Sequence, residues 1–158
     1  MRRVASLLIV LVAAGCGLPR DADGTLERVR GGTLRVAALP NPPWVVDAGD
    51  GMFRGVEPDL VARIATAHGA RVQWVRMPEF EAVRALHDRH LDLLIGGFDR
   101  TVAWNAEVAL TRPYLTTSDG KAHVLAAPPG ENAWLVHVER ELHTSKDAVR
   151  SALASAAR

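Results

Sequence analysis

Residues 108–127, VALTRPYLTTSDGKAHVLAA, decide how this chain folds. Val108–Thr116 reads as a strand, Thr117-Ser118-Asp119-Gly120 as a tight turn, and Lys121–Ala127 as a returning strand. Asp-Gly between two apolar runs is a strong hairpin signal, because glycine tolerates positive φ and aspartate can enter the left-handed region. The hairpin joins two segments of different character. Upstream, strands and helices alternate; downstream, a single helical pattern dominates.

The upstream order is regular. Thr33–Leu39 is a short apolar strand after Gly31-Gly32, and Pro58–His68 reads as a helix with Leu60, Ile64 and Ala67 on one face. Proline suits the first turn of that helix, and Gly69 stops it. Arg71–Arg76 alternates imperfectly as a strand. Glu79–His90 reads as a helix with Phe80, Val83 and Leu86 inward, and Leu91–Gly97 as a buried strand with a glycine exit. This β-α-β-α-β order predicts a three-layer α/β sandwich with a mainly parallel sheet and right-handed crossovers. After the hairpin, Glu131–Leu142 presents Leu135, Val138 and Leu142 to the sheet. Val149, Ala152, Leu153 and Ala156 then lie at helical spacing in a short amphipathic helix. Four tryptophans and 48% hydrophobic residues supply a core for one domain.

The amino terminus points to export. Arg2 and Arg3 precede an apolar stretch from Val4 to Gly15, about 18 Å as a helix and too short for a bilayer core of about 30 Å. The run ends Ala13-Ala14-Gly15-Cys16, similar to a bacterial lipobox, so residues 1–15 read as a lipoprotein signal and Cys16 as the lipidated residue. The alternative is an ordinary secretory signal with an incidental thiol. Cys16 is the sole cysteine, so no internal disulfide is expected. Residues 16–32 are polar and aperiodic and read as a flexible tether, residues 33–145 as the domain, and residues 146–158 as the terminal helix. The expected location is extracytoplasmic and membrane-anchored. The formal net charge is +1, and no basic block supplies the phosphate-neutralising contacts that nucleic-acid binding needs.

In an open parallel sheet, ligands gather at loops after the carboxyl ends of strands, where helix N-termini also point. Three loops qualify: Asn41-Pro42-Pro43-Trp44, Gly96-Gly97-Phe98-Asp99-Arg100-Thr101, and Thr111-Arg112-Pro113-Tyr114. Trp44 offers a flat apolar face, and the paired glycines let a ligand approach the backbone. Each has a structural reading too: Trp44 as a cap on the core, the glycines as a turn, Arg112 as a solvated charge.

These residues carry a resemblance. LRVAALPNPPWVV, then GVEPDL heading a helix, LDLLIGGF, a threonine and VALTRPY resemble, in that order, lobe 1 of the type 2 solute-binding proteins of amino-acid ABC transporters. HVLAAPPGENAWLVHVERELH is similar to the family's return into that lobe. The resemblance implies one lobe of a two-lobed clamp, with Ser118-Asp119-Gly120 standing where a second lobe ordinarily lies. It also implies a ligand-packing role for Trp44, acidic positions at Glu57 and Asp59, and a carboxylate-binding hydroxyl at Thr101. Where the family usually carries the carboxylate-binding arginine, this chain has Trp104, leaving Arg100 as a neighbouring substitute. The implied partners are a small polar, amino-acid-like solute and an ABC permease; for a lobe without its partner lobe, a second copy facing it as a homodimer would rebuild the cleft.

A second reading has the exposed lobe face, with Trp44, Phe98, Trp104 and Tyr114, docking a partner protein. Enzyme signatures are missing. Ser6 and Ser118 lack a nucleophile-elbow context, and there is neither a P-loop nor a dinucleotide fingerprint, so no cofactor is expected. His68, His87, His90, His123, His137 and His143 show no metal-ligand spacing and read as surface residues.

Overall fold

A computed structural model describes residues 20–156; the signal stretch and Cys16 lie outside the described residues. In chain order the elements are α1 (Thr25–Val29), β1 (Thr33–Ala38), β2 (Val46–Gly49), β3 (Met52–Arg54), α2 (Val56–Ala67), β4 (Arg71–Val75) and α3 (Glu79–His87). They continue with β5 (Leu93–Ile95), β6 (Ala109–Leu110), β7 (Leu115–Thr116), β8 (Ala122–His123), β9 (Ala126–Ala127), α4 (Asn132–Thr144) and α5 (Lys146–Ala156). The central sheet has the order β4-β1-β5-β9-β6. β1 pairs in parallel with β4 and β5, whereas β9 runs antiparallel between β5 and β6. The sheet is therefore mixed and mostly parallel.

Its two faces carry two cores. Leu34, Val36, Ile95, Leu60, Ile64, Trp134, Val138 and Val149 pack one face beneath α2, α4 and α5. Ala37, Leu94, Val83, Leu86 and Leu91 pack the other beneath α3. Apolar side chains thus leave water on both sides of β1 and β5, which is why these strands read as continuous apolar runs.

The hairpin is a single antiparallel excursion interrupted once. Leu110 pairs with Ala126, the Thr111 N–H donates to the Leu125 carbonyl at 3.0 Å, and Thr111 Oγ1 accepts the Leu125 N–H at 3.0 Å. Pro113 cannot donate to the ladder. Pairing resumes at Tyr114, whose N–H reaches the His123 carbonyl at 3.0 Å, and continues as β7 with β8. Each of the two expected strands is therefore split in two, the base in the main sheet and the tip a separate ribbon. At the tip the Gly120 N–H donates to the Thr117 carbonyl at 2.9 Å, with φ at +82°.

Several boundaries depart from the sequence reading. α2 begins at Val56, and its buried face is Leu60, Val61, Ile64 and Ala65, with Ala67 exposed. α2 ends where Gly69, at positive φ, lets the Ala70 N–H return to the Ala65 carbonyl at 2.8 Å. α3 stops at His87, because the His90 N–H turns back to the Ala85 carbonyl at 2.8 Å. Ala82, Val83 and Leu86 face the sheet there, and Phe80 is 76% exposed. On α4 the largest buried side chain is Trp134, whose indole N–H donates to the Asp92 carbonyl at 2.8 Å; Leu135 is only half-buried.

Residues 21–32 are part of the domain rather than tether. Glu131 accepts the Asp23 and Thr25 N–H groups, each at 2.9 Å. Asp21 accepts the Leu26 N–H at 2.7 Å and the Trp134 N–H at 2.8 Å. These two carboxylates satisfy the opening amides of both α1 and α4. Buried Asp92 adds ion pairs to Arg28 (2.6 Å) and Arg35 (2.8 Å).

Candidate functional site

The loops after β1 and β5 meet the base of the hairpin at one end of the sheet, and Glu57 joins them. It stands in the first turn of α2 with no exposed surface. Its Oε2 accepts the Gly96 and Gly97 N–H groups at 2.8 and 2.9 Å, and its Oε1 accepts the Tyr114 hydroxyl at 2.7 Å. Burial pushes the carboxyl up to about 7, while the Tyr114 hydroxyl and the two glycine amides pull it down. The phenol of Tyr114 is itself raised, by burial first and then by the carboxylate beside it.

Asn41 completes the frame. Its Nδ2 donates to the Gly96 carbonyl at 2.8 Å, closing a short loop that contains a cis Pro42-Pro43 bond. The carbonyls of this loop cap α2: Trp44 accepts the Glu57 N–H at 3.0 Å and Pro43 the Val56 N–H at 3.4 Å. The helix N-terminus is thus satisfied by the protein itself, contrary to the expectation that it points at a ligand.

Trp44 does not present a free face. The ring is 8% exposed and is stacked by His123, with centroids 3.9 Å apart and planes 29° apart. Tyr114 meets it edge-on at 6.3 Å. His123, read from sequence as a surface residue, is 3% exposed. Burial holds its imidazole below the ordinary value, against the Gly97 backbone and the carboxylates of Asp119 and Asp99. The only sequence signal for it was its place in an apolar run, KAHVLAA.

The remaining residues divide. Phe98 and Trp104 pack edge-to-face at 4.9 Å against the α3 core, and the Trp104 indole N–H donates to Glu79 Oε1 at 2.6 Å. With Tyr114 only 2% exposed and Trp44 covered, the four aromatics form no continuous docking face. Asp99, Arg100 and Thr101 form the rim. Asp99 Oδ1 accepts both the backbone N–H of Thr101, at 2.6 Å, and its hydroxyl, which holds the Asp99 carboxyl below the usual range. Arg100 is exposed and makes no ion pair among the described residues. Arg112, between β6 and β7, is exposed yet held against α4, its Nε 2.8 Å from Glu139 Oε2, and is not part of this rim. Asp59 is exposed on α2.

Residues 34–156 match the model of the bacterial extracellular solute-binding proteins, family 3. No curated protein matches the chain. Among solved structures, the chain is similar to the arginine-bound form of domain 1 from TmArgBP, with a TM-score of 0.67 and 23% identity over 75% of this chain and 97% of that one. An ancestral cationic amino acid solute-binding protein gives 0.70 at 13% identity, covering 85% and 98%. A Salmonella typhimurium periplasmic binding protein with high arginine specificity gives 0.66 at 11%, covering 78% and 98%. At these identities the likeness is one of fold, that of a single lobe.

Proposed function

The chain belongs to the bacterial extracellular solute-binding proteins, family 3, and from that premise we propose that it is the lipid-anchored, extracytoplasmic binding component of an ABC-type importer. Its ligand in this reading is an amino acid or similar small polar solute, taken in a half-cleft at the carboxyl ends of β1 and β5. One observation carries the reading: Glu57 fixes the Gly96-Gly97 backbone from beneath. The loop is thus held in place, with the guanidinium of Arg100, in no ion pair among the described residues, at its rim. A guanidinium takes a carboxylate through two parallel hydrogen bonds. Arg100 then serves where Trp104 replaces the arginine that the resemblance leads one to expect. The arginine bound in a similar single domain supports an amino-acid ligand.

A single lobe leaves much of the ligand in water, and the expected Kd is about 1 mM, or about 4 kcal/mol. A lipid on Cys16 would hold the domain at the membrane, where a permease or a second copy closes the open side. The test is a two-dimensional NMR titration of the protein with pooled amino acids, a method sensitive to millimolar binding. Saturable shifts confined to Gly97, Arg100 and Thr101 are expected. A folded spectrum that no pool perturbs, well above the expected Kd, overturns the reading.

A further inference from the structure

Among the described residues, Phe80 is the large apolar side chain that water reaches most, at 76% exposure. It stands in the first turn of α3 and lines a groove of about 410 Å³ between that helix and the loop before β6. Val83, Ala103 and Trp104 complete the apolar lining, and Glu79 and Glu107 carry its only charges among the described residues. An exposed phenyl ring by itself is ordinary. Here it shares a groove with a tryptophan and two carboxylates, and the combination has a chemistry.

Trp104 is held where it stands. Phe98 meets it edge-on at 4.9 Å, and its indole N–H donates to Glu79 Oε1 at 2.6 Å, which also positions that carboxylate. Neither Glu79 nor Glu107 is in an ion pair among the described residues. The cations nearest in the chain lie outside the lining. Arg84, one turn along α3 from Phe80, has its Nε 4.0 Å from Asp88 Oδ2, and exposed Arg100 does not line the groove. Two aromatic rings and two negative charges without a positive one are the complement of a cation on an apolar stem. A guanidinium or ammonium is drawn to an aromatic face, and its methylenes cover apolar surface. The openness of the groove decides the source of that cation. Small-ligand sites bury most of their ligand, whereas a site that leaves Phe80 largely in water is covered better by a chain running across it.

We propose that this groove docks a basic, extended segment of a partner protein, with one arginine or lysine side chain lying along Phe80 and Trp104 and its charged head at the carboxylates of Glu79 and Glu107. The surface shares no residue with the Gly96-Gly97 loop or with Arg100. It therefore stands or falls separately from solute binding at that rim.

The test is a titration of the protein with a capped peptide carrying arginines at alternate positions among alanines, followed by the Trp104 indole and Phe80 ring resonances. Saturable shifts of both rings in the millimolar range are expected, and the same peptide with glutamate for arginine should move neither. Phe80→Ala and Glu107→Gln should each weaken binding about threefold to fivefold. Both side chains are exposed, and the Trp134 indole resonance reports that each variant stays folded. Butylguanidinium, the cation and stem alone, should bind more weakly than the peptide; equal affinity would make the groove a small-cation site and overturn the assignment to a protein segment. Absence of saturable shifts, or binding that survives both substitutions unchanged, overturns the proposal altogether.

Discussion

The imidazole of His123 lies nearly flat on the indole of Trp44, 3.9 Å between centroids. One ring comes from the loop after β1 and the other from the returning arm of the hairpin. The turn that closes the lobe therefore also covers the aromatic face that the resemblance would turn toward a ligand. At the rim, Arg100 makes no ion pair among the described residues, and the Gly96-Gly97 backbone is fixed by Glu57.

If the stack holds the hairpin to the domain, its aromatic character matters more than its nitrogens. Among the described residues buried His123 Nδ1 makes no well-formed hydrogen bond, the Gly97 backbone beside the ring being a poorly aligned partner, and Nε2 is 3.5 Å from Thr117 Oγ1, a weak contact. His123→Phe keeps the ring and removes the poorly paired nitrogen, so stability should stay within about 1 kcal/mol of the parent. His123→Ala should lose about 2–3 kcal/mol through the void beside Trp44. Urea midpoints at unchanged slope decide; equal midpoints for the parent and His123→Ala would remove the stack from the account.

Glu57 makes the fold oppose its own ionisation. The folded carboxyl titrates near 7 instead of the ordinary 4.5. Between those values the native state binds more protons than the unfolded state, so stability falls as pH rises through that window. The total loss is on the order of 3 kcal/mol. Lowered His123 acts in the other direction, because the unfolded chain takes up that proton first and stability rises toward pH 6.5. Glu57→Gln isolates the first effect: relative to the parent, the variant should gain from pH 4.5 to 7. A pH-independent difference would show that the three donors hold the carboxylate ionised.

Much of this was legible beforehand, and the gaps share a cause. Short apolar runs located β1 and β5, helical spacing located α2, and Asp119-Gly120 located the hairpin tip. Spacing fails where a choice is made across the chain. Phe80 shares a helical face with Val83 and Leu86, yet the sheet meets α3 through Ala82 and leaves Phe80 in water. Asp21 and Glu131 convert an apparent tether into packed structure from more than a hundred residues apart, and only their side-chain oxygens reveal it. Glu57 in sequence is a helix-start acid; its donors Gly96, Gly97 and Tyr114 come from elements far downstream. The candidate loops were legible, and the wiring that joins them was not.

Gly97 separates backbone strain from crowding. At φ +67° a Cβ would lie 2.6 Å from Trp44 Cγ and 2.7 Å from Asn41 Nδ2, both fixed by their own contacts. Gly97→Ala should cost about 2–4 kcal/mol and displace the loop from Glu57. Gly120, at φ +82° with no atom within 4 Å of such a Cβ, is the control. Gly120→Ala should cost about 1 kcal/mol, the strain alone. Similar losses in thermal unfolding would mean that Trp44 and Asn41 yield easily and the frame is soft.

Arg100→Gln addresses function with least disturbance to structure. The side chain is exposed and without an ion pair among the described residues, so stability should change by less than about 0.5 kcal/mol. Loss of a two-bond guanidinium–carboxylate contact should weaken amino-acid binding on the order of tenfold. The matching decarboxylated amines offer no such contact, so their affinity should not depend on this residue. A parent that binds amino acids and a variant that binds them equally would place carboxylate recognition elsewhere. The rigid glycine loop would then be a structural joint between β5 and α2, and the search for the solute would move to another face of the lobe.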